Sequence, residues 1–163
     1  MLKLLAFLPC EKIILSTDGL ATLANVLDRV NIDVERLGEA ALSQTAAVPM
    51  VWEIFTLWRN VDGADDGKTY EQLIELLRPD RTSAFSISIT INVEPGHINI
   101  RSTGKVGAFP VGVAGTAWLR LFLKDAGENE NALMAEYPIL VTHDTQAQVQ
   151  KDVQKTLGVQ QTI

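Results

Sequence analysis

Cysteine and histidine are nearly missing from this sequence: Cys10 stands alone, and His97 and His143 are the only imidazoles among 163 residues. A single thiol excludes an internal disulfide and any Cys-rich zinc centre, and two imidazoles cannot supply a three-His metal site. Basic residues are scarce as well. Fourteen Lys and Arg against 20 Asp and Glu leave a formal net charge of -6, which argues against a general nucleic-acid-binding surface. No stretch reaches the roughly 18 apolar residues that a membrane-spanning helix takes. No repeat of 20–50-residue period occurs, and no Pro/Ser-rich linker separates domains. What remains is a globular composition, 47% hydrophobic and 21% charged, in a chain long enough for one well-buried core.

The opening Met1–Cys10 imitates a secretion signal, with Lys3 ahead of a short apolar run. Glu11 and Lys12 interrupt it at once, and no small-residue cleavage site follows. The segment reads instead as a buried first strand, Leu4–Leu15, broken by Pro9. A lone Cys suits a reducing interior, so the expectation is a soluble cytoplasmic protein.

The clearest pattern runs from Ser83 to Val93. Phe85, Ile87, Ile89, Ile91 and Val93 alternate with Ala84, Ser86, Ser88, Thr90 and Asn92, a period of two that buries one face of a strand. Glu94-Pro95-Gly96-His97 fits a type II turn, with Pro fixing φ and Gly supplying φ > 0. A hairpin across it pairs Val93 with Ile98 and Ile91 with Ile100. A further strand lies in Val111–Lys124, where Ala117, Leu119, Leu121 and Leu123 oppose Trp118, Arg120, Phe122 and Lys124. Met134–His143 reads as a closing strand, with Pro138 arguing for an edge or a bulge. Pro49–Val61 also looks extended, with apolar residues on both faces: Trp52, Ile54 and Trp58 against Val51, Phe55 and Leu57.

Two segments are ambiguous: their spacing taken alone favours helices, while the many flanking strands and short turns favour hairpins. Leu20, Leu23, Ala24 and Leu27 recur at helical spacing, as do Tyr70, Leu73, Ile74 and Leu77, and Thr69 with Gln72 forms a possible capping box. Asp33–Ser43 is a better helical candidate, through Val34, Leu37, Ala41 and Leu42. Asp144–Ile163 is polar and Gln-rich and reads as a frayed helix or mobile tail.

Chemical motifs fail on spacing. Asp62-Gly63-Ala64-Asp65-Asp66-Gly67 invites a calcium loop, but Ala64 falls at its third position and Leu73 at its twelfth, where a bidentate acid is needed. An acidic connecting turn is the reading. Gly104-Lys105 and Gly112/Gly115 make neither a phosphate cradle nor a dinucleotide fingerprint. His97 and His143 lie in no nucleophile motif. Cys10, within an apolar strand, reads as an inert buried thiol. Glu11, Asp18 and Asp28 lack the spacing evidence that a paired-carboxylate hydrolase demands. Trp52, Trp58 and Trp118 with Arg59, Arg101 and Arg120 fit core or interface packing better than a stacking platform for single-stranded nucleic acid.

Pro9-Cys10-Glu11, Asp18-Gly19, Leu23–Val30, Pro49, Pro79-Asp80, Tyr137-Pro138-Ile139 and Val141 resemble landmarks of a family of small uncharacterised bacterial and phage-associated proteins, a domain of unknown function. The family's Gly after the Pro-Asp pair is replaced here by Arg81, and Asp33–Ala47 looks like additional material. The resemblance implies a β-sandwich and extended conformations for Leu20–Val30 and Lys68–Arg78. It carries no catalytic residues.

The expectation is a mainly β protein: a single antiparallel β-sandwich of about seven or eight strands, immunoglobulin-like or C2-like, with one short helix. Residues 1–143 would form the sandwich and 144–163 a tail. No cofactor, metal or catalytic residue is expected. The leading functional expectation is a non-enzymatic binding or assembly module, whose partner is another protein or a second copy, with neither nucleic acid nor membrane involved. Trp52, Trp58, Trp118 and Phe122 are its candidate interaction surface. A small-molecule or carbohydrate-binding domain is the alternative, and a hydrolase a third reading.

Overall fold

The computed structural model describes residues 2–34, 46–128 and 130–144, with Asp144 described through its backbone. The described residues form nine strands: β1 (Lys3–Leu15), β2 (Ala21–Val26), β3 (Arg29–Asp33), β4 (Ala47–Arg59), β5 (Thr69–Leu77), β6 (Ser83–Asn92), β7 (Asn99–Pro110), β8 (Gly115–Asp125) and β9 (Ala132–Asp144). They divide into a four-stranded sheet of order β2-β1-β4-β7 and a five-stranded sheet of order β3-β9-β8-β5-β6. Every pairing is antiparallel except β3 with β9, which is parallel and makes the larger sheet mixed. The expected all-antiparallel sandwich of seven or eight strands is corrected to that extent. Of the expected helix over Asp33–Ser43, Asp33 closes β3 and residues 35–45 lie outside the described residues. So do residues 145–163 of the expected tail.

One continuous core joins the sheets. Trp52, Ile54, Trp58 and Phe109 from the smaller sheet meet Ile74, Leu76, Leu119, Leu121 and Ile139 from the larger, all fully buried. Trp52 packs tilted against Phe85 and Phe109, with ring centroids 6.0 and 5.9 Å apart, a separation at which aromatic pairs attract. These residues alternate along their strands, so the period-two signal reports their burial.

Both ambiguous segments are extended. The helical spacing of Tyr70, Leu73, Ile74 and Leu77 is overridden by Tyr70, Gln72, Ile74 and Leu76, which alternate into the core. Gln72 caps no helix. It lies wholly buried between the sheets, where its Oε1 accepts hydrogen bonds from Trp58 Nε1 at 2.8 Å, Thr56 Oγ1 at 3.0 Å and Ser102 Oγ at 3.2 Å. One side chain of β5 thereby ties together β4 and β7 of the opposite sheet.

The turn expected at Glu94–His97 forms: His97 N–H donates to Glu94 O at 3.1 Å, and Gly96 has φ +81°. The hairpin expected across it does not. β6 pairs with β5, setting Ile91 opposite Tyr70, while β7 pairs with β4, setting Ile100 opposite Trp58. The chain crosses from one sheet to the other at this turn, so Ile91 and Ile100 face a shared core from opposite layers, while Ile98 is exposed.

Of the four prolines within strands, Pro9 and Pro138 sit where their missing N–H costs least. β1 pairs with β4 through Cys10 and with β2 from Cys10 onward, so Pro9 stands at the changeover. β9 is an interior strand rather than an edge. Its pairing with β3 begins at Leu140, which leaves Pro138 with a neighbour only on the β8 side.

Candidate interaction surface

The structure divides the four aromatic residues of the candidate surface. Trp52 and Trp58 are fully buried between the sheets and cannot meet a partner. Trp58 spends its indole N–H on Gln72, and Trp52 donates to Ala108 O at 3.2 Å. Trp118 and Phe122 lie on the other parity of β8, half-buried on the outer face of the five-stranded sheet.

Strand register arranges that face in transverse rows. Trp118 lies between Leu77 of β5 and Pro138 of β9, and two residues on, Arg120 lies between Glu75 and Glu136. Phe122 follows between Leu73 and Leu133, and Lys124 stands opposite Glu71. Apolar and charged rows therefore alternate. Arg120 holds Glu136 at 3.2 Å and Glu75 at 3.8 Å, and Lys124 holds Glu71 at 3.1 Å. The Arg120 Nε contact with Glu136 is an ion pair without hydrogen-bond alignment. Such partly solvated pairs contribute about 0–1 kcal/mol each. They fix side-chain positions more than they stabilise the fold.

Two guanidinium groups cover the aromatic rings. Arg120 lies 4.9 Å from the Phe122 centroid and Arg81 lies 5.4 Å from that of Trp118, within cation–π range. Arg81 comes from the β5–β6 turn, where it has φ +69°. Leu133 and Leu140 add apolar side chains that are 47% and 37% exposed. The alternation along β8 already marked Trp118, Arg120 and Phe122 as one face. Arg81 carried no such signal, because only the turn brings it over β8.

The remaining chemical candidates are engaged internally or stand apart. In the connection between β4 and β5, Asp65 is buried and its Oδ1 accepts from Tyr70 Oη at 2.7 Å and Lys68 Nζ at 2.8 Å. Burial alone would raise its pKa, but hydrogen bonds, including those from Lys68 and Tyr70, outweigh it and hold the carboxyl at about 2. Burial, with the Asp65 hydrogen bond second, pushes the Tyr70 phenol well above its usual range. Asp66 accepts from Asn60 Nδ2 at 2.7 Å and Gly96 N at 3.3 Å. The acidic turn thus fastens the β4–β5 and β6–β7 connections to one another.

Cys10 is fully buried, and burial first, then the negative charge of Glu53, raises its thiol pKa. Such a thiol is a poor nucleophile. His97 is exposed, 3.5 Å from Glu94, while His143 is the last residue but one of β9, opposite Ile32. Glu11 accepts from Asn25 at 2.6 Å, and Asp18 is held by Ser16. Among the described residues no group of three or more His, Cys, Asp or Glu could hold a metal ion.

Among the described residues, a depression of about 200 Å³ lies at one end of the larger sheet, lined by Lys68, Tyr70, Asp125, Glu128 and Met134. A groove of about 410 Å³ runs between β6 and β7, walled by Phe85, Val106, Ala108 and Pro110, with Arg78 as its charged lining residue. The first is smaller than the roughly 300 Å³ at which ligand pockets begin, and the second lacks converging polar groups. No helix among the described residues is long and apolar enough to cross a membrane.

The class defined by these two stacked sheets is a β-sandwich with one mixed sheet. Among solved structures, the chain is similar to the crystal structure of an immunoglobulin-like protein from Pseudomonas aeruginosa. It is 11% identical, the match covers 86% of this chain and 96% of that one, and the TM-score is 0.38. No protein-family profile matches the chain, and no curated protein does.

Proposed function

We propose that this protein is a non-enzymatic binding module that docks another protein through the outer face of its five-stranded sheet. The observation that carries this reading is the arrangement of Trp118 and Phe122, half-buried under Arg81 and Arg120 and bordered by exposed Leu133 and Leu140. Aromatic and Arg side chains are enriched at the centres of protein interfaces; the rings offer large contact area at a low cost in rotamer freedom. The alternating rows of Glu, Arg and Lys favour a partner whose apolar side chains are flanked by both signs of charge. A small-molecule or carbohydrate role has less support, since the acidic turn uses its carboxylates internally. Kinship with the bacterial and phage-associated family, an immunoglobulin-like or C2-like strand plan, and a cytoplasmic setting belong to the same reading.

A photo-crosslinking residue at Leu133, in cells that naturally make the protein, tests it. The expected result is a discrete protein adduct that disappears with Trp118→Glu. A crosslinker at Val51, 58% exposed and on a strand of the other sheet, gives no such adduct. The proposal fails if Leu133 and Val51 yield the same adducts, if Leu133 yields none, or if Trp118→Glu leaves the adduct intact.

A further inference from the structure

We infer that β6 is a self-pairing edge through which two copies of this chain join their five-stranded sheets. Four strands end the two sheets: β2 and β7 in one, β3 and β6 in the other. Three of these edges carry features that discourage pairing. β2 and β3 are short, at 6 and 5 residues, and Asn25 bends β2 with φ +51°. β7 carries exposed Arg101 and Lys105 and ends in Pro110. Short length, charge and proline are the usual ways of blunting an edge. β6 has none of them. Its ten residues, Ser83–Asn92, contain no charge, no Pro and no Gly, and among the described residues it has a strand neighbour on one side only.

A second copy is the occupant that the sequence of β6 fits. Under a two-fold axis at Ser88, antiparallel pairing sets Ser88 against itself, Ile87 against Ile89, Ser86 against Thr90 and Phe85 against Ile91. Hydroxyl meets hydroxyl on the outer row, and apolar meets apolar on the inner row. The strand reads nearly the same in both directions, which is what an isologous contact demands. The inner row gives an independent sign. Phe85, Ile87 and Ile89 pack against the core yet stay only partly buried, whereas Ile91 is 3% exposed. Pairing at the edge would complete their burial while satisfying the outward backbone N–H and C=O groups.

Sedimentation equilibrium over a concentration series tests the inference. The wild-type chain is expected to rise from 17.9 kDa toward twice that mass. Ser88→Lys places two ammonium groups opposite one another at the axis and weakens association by about tenfold or more. The monomer tolerates the change, because Ser88 already donates to Glu71 at 2.7 Å and the introduced ammonium gains that carboxylate as a neighbour. Ser86→Lys, facing Thr90 of the other copy, is the second variant and weakens association in the same direction. Mixing Ser88→Lys with Ser88→Glu restores a mixed dimer. Trp118→Glu leaves association unchanged, since β8 lies two strands from this edge, so failure here is distinguishable from failure of the docking face. The inference is overturned if the wild type stays at monomer mass, or if folded Ser88→Lys and Ser86→Lys associate as the wild type does.

Discussion

At the scale of single residues, Gln72 holds the most consequential position. Its carbonyl accepts three hydrogen bonds inside the core, while its Nε2 is buried without a hydrogen-bond partner. Thr56 and Ser102 retain one another at an Oγ–Oγ distance of 2.5 Å when the amide is removed, but the Trp58 indole N–H does not. Gln72→Leu is therefore expected to cost about 2 kcal/mol: the orphaned indole sets the loss, and release of the unpartnered Nε2 offsets part of it. Urea unfolding measures this. Trp58→Phe carries its own cavity cost in the core, but in that background Gln72→Leu should cost much less, since no indole N–H is left to orphan, and a double-mutant cycle registers this coupling. The sequence showed Gln72 only as a candidate capping residue. A polar side chain at a core parity is visible in a strand pattern, but its donors come from β4 and β7, 14 to 30 residues away, beyond the reach of local periodicity.

At the scale of elements, the connections do as much as the strands. The β4–β5 connection crosses between sheets and is fastened by Asn60, Asp65 and Asp66. The Asp65 carboxyl is lowered from 3.8 to about 2 in the fold, so the folded state binds its proton less readily than the unfolded chain. Its contribution to stability is fully present above about pH 4 and is lost as pH falls through 2. Urea midpoints of the wild type and Asp65→Asn should accordingly differ most near neutrality and converge between pH 4 and 2. A constant difference across that window would contradict this role. The acidic turn itself was legible from its composition. Its use of carboxylates on Tyr70, Lys68 and Asn60 was not, because those contacts follow from the crossing. For β5, local spacing taken alone favoured a helix, and pairing with β6 and β8 overrode it. The period-two run in β6 had no competing reading, since branched Ile at alternate positions fits a pleat and leaves a mostly Ser and Thr face outward.

At the scale of the whole molecule, both proposed surfaces depend on how the sheets are divided. The docking face needs β5, β8 and β9 side by side, and the self-pairing edge needs β6 at the end of that sheet. The sequence correctly indicated that the alternate residues from Phe85 to Ile91 share a core with Ile100, although Ile98, the expected hairpin partner of Val93, is 57% exposed; a strand's inner parity is the same in a hairpin as across a sandwich. Only the partner strands separate the two. Cross-strand backbone nuclear Overhauser contacts on the isotope-labelled protein read those partners directly. The expected contacts join Ile91 to Tyr70, Ile89 to Gln72 and Ile100 to Trp58; a contact joining the backbone of Ile91 to that of Ile100 would contradict the architecture and remove both surfaces with it.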